Sequence, residues 1–275
     1  MLPLNREFEF THADFEKVRT MIYNYAGIAL SESKHDMVYG RLAKRLRALN
    51  LKTFQQYLHV LERGDPKEFE LFTNSMTTNL TSFFREAHHF DILARYLKEQ
   101  RCATFSIWCS AASTGEEPYS LAITACEAFD SLRPPVKIIA TDLDTNVLEK
   151  GRLGIYPAEE VKKMSPQRVS RFFNVQPDGR YQLKQELRDM ITFRRLNLIE
   201  PNWSVRGPFD AIFCRNVMIY FDKETQYKIL QRFAPLMKPE GLLYVGHSEN
   251  LYHAAEFFKL QGKTVYELAK PAGLR

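Results

Sequence analysis

A change of hydrophobic pattern near Phe105 constrains the fold of this chain more than any other feature. Up to about residue 100, apolar residues recur at helical spacing, as in HADFEKVRTMIYNYAG and TFQQYLHVLERG, and strand-like runs are almost absent. From Phe105 onward, short apolar runs such as FSIWCS, VKIIATD and FDAIFCRN alternate with helical segments. This alternation predicts an α/β fold, a mostly parallel sheet with helices on both faces, preceded by an all-helical region.

Two segments interrupt the alternation and predict antiparallel strands. In RFFNVQPDGRYQLKQELRD, about residues 171–190, a Pro-Asp-Gly turn separates two extended runs, as in a β-hairpin. The closing FFKLQGKTVYELAK predicts a second hairpin. We therefore expect a small antiparallel β insert within the α/β region and an antiparallel strand at the end of the sheet.

Composition narrows the class of protein. The net charge of +5 is modest for a nucleic-acid-binding protein, so we expect no nucleic-acid partner. The four cysteines form no CxxC pair, which argues against structural zinc and a disulfide framework. The first residues lack the apolar core of a signal peptide, and no run reaches the ~18 apolar residues of a membrane span. These patterns predict a soluble, cytoplasmic protein without membrane insertion.

The segment CSAASTGEEPYS, from Cys109 to Ser120, has the strand, tight loop and helix start of a nucleotide site. Phosphate sites need glycine-rich backbone and a helix N-terminus that meets negative charge. Here the loop has one glycine, and Glu116 and Glu117 stand just before Pro118 in the first helical turn. The two acids suit the helix dipole but repel a phosphate. A dinucleotide or ATP is therefore disfavoured.

S-adenosylmethionine removes this conflict, because it is an adenosine without phosphates that carries a sulfonium and an ammonium group. An acidic loop suits those cations, and Gly115 would allow close approach of the backbone. Asp142, at the end of VKIIATD, is placed to accept hydrogen bonds from ribose hydroxyls. The alternatives are that Asp142 is an ordinary loop acid or helix cap and that Glu116 only complements the helix dipole.

Five segments, in chain order, resemble the chemotaxis receptor methyltransferases (CheR): TTNLTSFFREAHHF, AASTGEEPYS, ATDLDTNVLEKGRLGIY, FCRNVMIYFD and GLLYVGHSEN. The resemblance implies an all-α N-terminal domain over residues 1–85 and a Rossmann-like S-adenosylmethionine-dependent methyltransferase domain over residues 86–275. It also implies methyl transfer to glutamate side chains in the cytoplasmic helical region of methyl-accepting chemotaxis receptors. The products would be glutamyl methyl esters and S-adenosylhomocysteine, made by a monomeric enzyme.

The resemblance also implies the site residues. It places cofactor contacts at Asn79, Thr81, Arg85, Glu116, Asp142, Asn197, Leu198, Arg215 and Asn216. Tyr220 matches a tyrosine that faces the reactive centre. A glutamate carboxylate is ionised near pH 7 and needs no general base, so Arg85 and Tyr220 are interpreted as positioning groups. The alternatives are a capping role for Asn79 and Thr81 and an ion pair between Arg85 and Glu86.

A basic face is predicted on the helical segment DMVYGRLAKRLRALN, where it would dock the acidic receptor helices. The basic face comprises Arg41, Lys44, Arg45 and Arg47, with no acid between its first and last members. The alternative is a solvated helix face. The insert has a compact turn where some family members carry a longer glycine-rich one, so we do not expect it to tether a receptor peptide.

Two further interpretations concern histidines and function. His88 and His89 are adjacent and point about 100° apart on a helix, without an accompanying ligand set, so no metal site is predicted. His247 is a candidate for site architecture. The alternatives to receptor methylation are a methyltransferase acting on another protein or on RNA, and a receptor-binding regulator without turnover.

Overall fold

The computed structural model describes residues 6–100 and 102–269, which form two compact units. One unit comprises the described residues up to Thr78 together with Tyr220–Asp222, and the other comprises the rest from Asn79 onward. The division falls before the expected 85/86 boundary because the segment after Asn79 bonds to the second unit. The Ser113 hydroxyl donates to the Asn79 carbonyl at 2.9 Å, for example. Within the described residues, no helix is long and apolar enough to cross a membrane.

The first unit is helical, and its caps follow from the sequence. Its helices are α1 (His12–Ala26), α2 (His35–Ala48), α3 (Phe54–Glu62) and α4 (Pro66–Met76). Thr11 and Asp14 form a capping box at the start of α1, and Thr53 and Gln56 form another at the start of α3. Gly27 ends α1 in the left-handed region at φ 71°.

The second unit contains the sheets and the remaining helices. Its helices are α5 (His88–Glu99), α6 (Glu116–Ala128), α7 (Thr145–Leu153), α8 (Ala158–Val161), α9 (Pro166–Phe172), α10 (Gln185–Asp189) and α11 (Lys223–Phe233). Its strands are β1 (Phe105–Cys109), β2 (Val136–Asp142), β3 (Ile155–Tyr156), β4 (Phe173–Val175), β5 (Tyr181–Leu183), β6 (Ile191–Arg195), β7 (Phe209–Cys214), β8 (Met237–Val245), β9 (Phe258–Gly262) and β10 (Val265–Leu268). The strands form a large and a small sheet.

The large sheet has the order β6-β2-β1-β7-β8-β10-β9. The first five strands in that order are parallel, and β10 is antiparallel to both of its neighbours. In the register, Ile107 of β1 lies between Ile138 of β2 and Ala211 of β7. From β1 the chain adds β2 and β6 on one side of the sheet and then adds β7 and β8 on the other side of β1, so the strand order reverses between β1 and β7. The predicted α/β fold with a terminal antiparallel strand is confirmed, and the reversal marks the edge where ligands bind in such sheets.

The small sheet is the predicted antiparallel insert, with the order β3-β5-β4. The turn between β4 and β5 closes by a bond from the Gln176 N–H to the Arg180 carbonyl at 2.8 Å, with Gly179 at φ 81°. Strand β3 was not predicted. It has two residues, too few for the alternation of apolar and polar side chains to appear in the sequence.

Helix α6 is buried around most of its circumference, which explains why its sequence is apolar on nearly all sides. The hydroxyls of Ser120 and Thr124 bond to carbonyls one turn earlier, at 2.6 and 2.8 Å, so these buried polar groups are satisfied. This packing fixes the first turn of α6, and with it Glu116 and Glu117, at the carboxyl end of β1.

Candidate functional site

The loop between β1 and α6 is held at the centre of the sheet edge by its own backbone. The Ser110 N–H donates to the Phe213 carbonyl and the Ala112 N–H to the Thr141 carbonyl, both at 2.8 Å. The first bond joins the loop to β7 and the second joins it to β2. The loop is therefore fixed at the point where the strand order reverses.

Gly115 is required by conformation and by packing. Its φ of 102° lies in a region that side chains rarely adopt. An added Cβ would lie 2.6 Å from the Tyr156 hydroxyl oxygen and 2.9 Å from the Gly151 Cα. The sequence suggested that Gly115 allows the backbone to approach a ligand. In the structure, the atoms that lie close to this glycine belong to the insert and to α7. The Tyr156 hydroxyl also donates to the Thr114 carbonyl at 2.8 Å, which ties the insert to this loop.

Asp142 lies beside that loop and has both carboxylate oxygens engaged. Oδ2 accepts the Ser113 N–H at 2.8 Å and Oδ1 accepts the Asp144 N–H at 3.0 Å. The Leu143 N–H also bonds to this carboxylate, which has about four lone-pair sites and so can still accept a hydroxyl donor. Burial raises the pKa of Asp142 to about 6. This geometry suits an acceptor for a ribose diol.

The two glutamates at the start of α6 have different environments. Glu116 is buried, and its Oε2 accepts the Thr114 hydroxyl at 2.7 Å. Burial raises the pKa of Glu116, so a nearby positive charge would stabilise its ionised form. Glu117 is turned to the protein interior, where it pairs with Arg215 Nη1 at 2.6 Å and accepts the Cys109 thiol at 3.2 Å. The sequence pattern did not distinguish these two roles.

Arg215 is fully buried and connects three segments. Besides the bond to Glu117, its Nη2 donates to the Arg85 carbonyl at 2.5 Å and lies 3.4 Å from Glu86 Oε2. Its Nε is buried without a hydrogen-bond partner among the described residues. Most of the donors of this predicted cofactor contact are therefore used by the protein, and the one nitrogen without a partner is itself buried.

Residues 79–86 pass along the same edge. Asn79 Nδ2 donates to Asp144 Oδ2 at 2.8 Å, and Thr81 lies half-buried two residues further on. Arg85 Nη1 donates to the Leu80 carbonyl at 3.0 Å. The carboxylate of Glu86, the alternative partner of Arg85, contacts His247 Nδ1 at 3.2 Å as well as Arg215.

The remaining predicted contacts lie at the ends of β6 and β7. Asn197 is buried, and its Oδ1 accepts the Ile199 N–H at 3.2 Å. Leu198 is also buried, and its carbonyl accepts the Trp203 indole N–H at 3.2 Å. Asn216 adopts φ 57°, and its N–H donates to Glu249 Oε2 at 2.9 Å. Glu249 was missed from the sequence, although it stands in the GHSEN segment.

Left-handed backbone is concentrated in this part of the unit. The non-glycine residues at the site with positive φ are Phe84, Glu86, Ser113 and Asn216. Such conformations are costly and persist where the surroundings hold them, and they are enriched at ligand sites. Three of the segments predicted to contact the cofactor therefore contain strained backbone.

Glu86, His88 and His89 offer ligand atoms within 4.8 Å of one another. The two histidines therefore do have an acidic residue beside them, which the sequence did not reveal. His89 is fully buried and contacts the Lys263 carbonyl through Nε2 at 2.8 Å. Burial, with the charge of Arg215, lowers the pKa of His89 to about 4. Because Arg215 already supplies positive charge to Glu86, a further cation is electrostatically disfavoured there. The absence of a metal site stays a prediction.

In the helical unit, two members of the basic face are engaged with their own unit. Arg41 Nη1 donates to the carbonyls of Met76 and Thr77, at 2.9 and 2.8 Å, and so caps the end of α4. Arg45 forms a two-bond ion pair with Glu68, at 2.9 and 2.6 Å. Both residues therefore have structural roles, which weakens them as docking groups.

The other two members of the basic face are exposed. Arg47 pairs with Glu7 at 2.6 Å at the surface, and Lys44 is exposed one turn before the end of α2. Tyr220 also belongs to this unit, in which its carbonyl accepts the Ala29 N–H at 2.8 Å. The assignment of Tyr220 to the reactive centre and the docking role of the basic face stay predictions.

The acceptors at the sheet edge fit a cationic nucleoside better than a phosphate ester. Asp142 and Glu116 present carboxylates, and the loop that separates β1 from α6 contains no lysine or arginine. Hydrogen-bond acceptors and negative charge are what ribose hydroxyls, an ammonium and a sulfonium require. This set of acceptors and negative charges therefore fits S-adenosylmethionine.

Comparison with known proteins agrees with this chemistry. Residues 79–266 match the family described as CheR methyltransferase, SAM binding domain, and residues 13–77 match CheR methyltransferase, all-alpha domain. The chain is 50% identical over 270 residues to chemotaxis protein methyltransferase 2 of Pseudomonas aeruginosa, covering 96% of each. It is 49% identical over 274 residues to chemotaxis protein methyltransferase of Salmonella typhimurium, covering 98% of this chain and 95% of that protein. The corresponding Escherichia coli protein is 48% identical, with 98% and 96% covered.

Proposed function

This chain belongs to the CheR methyltransferase family, and from that premise we propose that it methylates glutamate side chains of chemotaxis receptors, forming glutamyl methyl esters. Its family makes it an S-adenosylmethionine-dependent methyltransferase of chemotaxis, and what we propose is that its methyl acceptor is glutamate. One observation carries the cofactor assignment most directly. Asp142 and the start of α6 present carboxylates at the strand ends where a phosphate-binding protein would present backbone N–H groups and lysine.

The proposed cofactor contacts follow from the groups that still have capacity. Asp142 would accept the ribose hydroxyls, and Glu116 would face positive charge. Arg215 stays a proposed contact, and its bonds to Glu117 and to the Arg85 carbonyl would also fix two of the segments around the cofactor. Asn216, held in a left-handed conformation, would present its backbone and amide toward the same edge. Bound S-adenosylmethionine supplies a methyl group that its sulfonium makes electrophilic.

The chemistry asks the chain for positioning and for exclusion of water. The acceptor carboxylate is ionised near pH 7 and is already a nucleophile, so a general base is unnecessary. Arg85 is suited to orient that carboxylate because a guanidinium has five N–H donors, and one nitrogen is anchored on the Leu80 carbonyl. We assign Arg85 and Tyr220 to this orientation, which brings reacting atoms into line without proton transfer.

The test uses the full chain, methyl-labelled S-adenosylmethionine and membranes that contain chemoreceptors. The expected product is labelled receptor that releases its label as methanol in mild alkali, because methyl esters hydrolyse there whereas methylated amines do not. The matched control is Asp142→Asn, which keeps the side-chain size but removes the charge that the cofactor proposal uses. We expect that variant to label the receptor at a greatly reduced rate.

Each other outcome selects an alternative. Alkali-stable label on receptor would contradict glutamate as the acceptor. Label that appears on another protein or on RNA, and not on receptor, would assign the substrate elsewhere. A chain that binds S-adenosylmethionine and receptor but transfers no methyl group would be a regulator rather than an enzyme.

A further inference from the structure

Glu249 is a buried carboxylate to which the proposed mechanism assigns no role. It stands four residues after the end of β8, and 5% of its surface is exposed. Buried carboxylates need compensating donors, since removing the charge from water is unfavourable. The sequence pointed to His247 in this segment, yet that side chain is largely exposed and the acid two residues later makes the buried contacts.

The compensating donors of Glu249 are backbone N–H groups from two loops. Oε2 accepts the N–H of Gly246 at 2.6 Å and that of Asn216 at 2.9 Å. Oε1 accepts the N–H of Met218 at 2.8 Å. Hydrogen bonds to an ionised carboxylate are shorter and stronger than neutral ones. Because β7 and β8 are neighbouring parallel strands, one side chain joins the segments that follow both of them.

These contacts surround a residue with strained backbone. Asn216 adopts φ 57°, which a residue with a side chain adopts at a conformational cost. Gly246 leaves the space that this arrangement needs, because an added Cβ would contact Asn216 Nδ2 and lie 2.9 Å from Glu249 Oε2. The carboxylate, the glycine and the left-handed asparagine therefore depend on one another.

We propose that Glu249 is a positioning residue that holds Asn216 in its left-handed conformation and thereby sets the affinity for the cofactor. The inference rests on the proposed cofactor contact of Asn216. A glutamine at position 249 would have the same shape but one accepting oxygen, and its NH₂ group would face a backbone N–H donor. A carboxylate can accept from the N–H groups on both of its oxygens, whereas an amide would place its NH₂ group against at least one of them.

The first measurement is made on the cofactor-free chain. In Glu249→Gln, hydrogen exchange at the amides of Asn216 and Met218 should be at least tenfold faster than in the unsubstituted chain. The matched control is Glu224→Gln, which neutralises an exposed carboxylate paired with Lys228 on α11. That control should leave exchange at both amides unchanged. Unchanged exchange in a folded Glu249→Gln overturns the proposal.

The second measurement is the calorimetric Kd for S-adenosylhomocysteine. We expect Glu249→Gln to bind at least tenfold more weakly, with its near-ultraviolet circular dichroism retained. In the background of Asn216→Gly, which adopts positive φ freely, the same substitution should weaken binding by a smaller factor. An equal factor in both backgrounds would mean that Glu249 acts without Asn216 and would overturn the positioning role.

Asn216→Ala separates this inference from the proposed cofactor contact. If Asn216→Ala weakens binding but a folded Glu249→Gln does not, the contact stands and the positioning role is wrong. If Asn216→Ala and a folded Glu249→Gln both bind normally, the contact is wrong and the inference fails with it. Should Glu249→Gln not fold, Gly246→Ala perturbs the same contacts and must give the same weakened Kd.

Discussion

The ion pair between Glu117 and Arg215 is the most informative place to perturb this chain. The two side chains are 11% and 0% exposed, and their charged atoms are 2.6 Å apart. Glu117→Gln keeps the volume and a hydrogen-bonding oxygen but removes the negative charge. The Arg215 guanidinium then remains buried with Glu86 as its nearest carboxylate, at 3.4 Å.

The size of the effect follows from that remaining partner. Removing one member of a buried pair destabilises proteins by about 3 to 5 kcal/mol. Glu86 and the Arg85 carbonyl still compensate part of the Arg215 charge, so the lower end, about 3 kcal/mol, is expected. For a unit of this size the melting temperature should fall by about 6 to 12 °C.

The assay is thermal and urea unfolding of the full chain, with Glu224→Gln as the control for loss of an exposed pair. That control should change the free energy of unfolding by no more than about 0.5 kcal/mol. The double variant Glu117→Gln with Arg215→Met should be less destabilised than the sum of the single changes, because no uncompensated charge remains. A loss below about 1 kcal/mol in Glu117→Gln would refute the assigned burial and pairing.

Three further predictions concern binding, turnover and docking. Because the pKa of Asp142 is about 6 in the folded chain, affinity for S-adenosylhomocysteine should fall as the pH drops through 6, and Asp142→Asn should bind weakly without that dependence in calorimetry. Protonation of Asp142 has the opposite effect on folding stability. The folded chain binds this proton more tightly than the unfolded chain, in which the carboxyl has its ordinary pKa of 3.8. The free energy of unfolding should therefore rise as the pH falls from above 6 toward 3.8. Arg85→Ala should lose about 100-fold or more in single-turnover methyl transfer while its circular dichroism persists, and near-normal turnover would contradict its positioning role. Lys44→Glu should raise the KM for receptor about three- to tenfold without changing the Kd for S-adenosylhomocysteine, whereas Lys52→Glu, an exposed control in the same unit, should change neither.

Charge reversal of Arg41 or Arg45 is a poor test of docking. Arg41 caps α4, and Arg45 is paired with the buried Glu68, so a reversed charge at either position would destabilise the helical unit itself. A reduced rate of receptor methylation in such a variant would not separate lost docking from lost folding. The exposed Lys44 avoids this ambiguity, because its side chain is at the surface of α2.

The fold and the chemistry of the site could be predicted where the determining residues are close in sequence. The spacing at which apolar residues recur separates the helical region from the α/β region, and the Pro-Asp-Gly turn predicts the insert. The acidic helix start disfavours phosphate by local electrostatics alone. In each case the physical cause lies within a few residues of its effect.

Features determined by distant residues could not be predicted in this way. The basic face seemed to lack a compensating acid because Glu68, the partner of Arg45, lies 23 residues further along the chain. Glu117 could not be assigned a role from the sequence because its partner, Arg215, lies 98 residues away. Glu249 gave no local signal, since its partners are backbone N–H groups, which every residue but proline carries.

Tyr220–Asp222 makes the helical unit discontinuous in sequence, and this has a consequence for exchanging parts between relatives. A fragment that ends at Thr78 would leave behind the Tyr220 carbonyl that bonds to Ala29 and the Asp222 carboxylate that bonds to the Tyr23 hydroxyl. A chimera that combines the helical unit of one homologue with the sheet unit of another should therefore carry residues 220–222 from the helical parent. In evolution, this three-residue stretch is expected to change together with the N-terminal region rather than with β7 and α11, which precede and follow it.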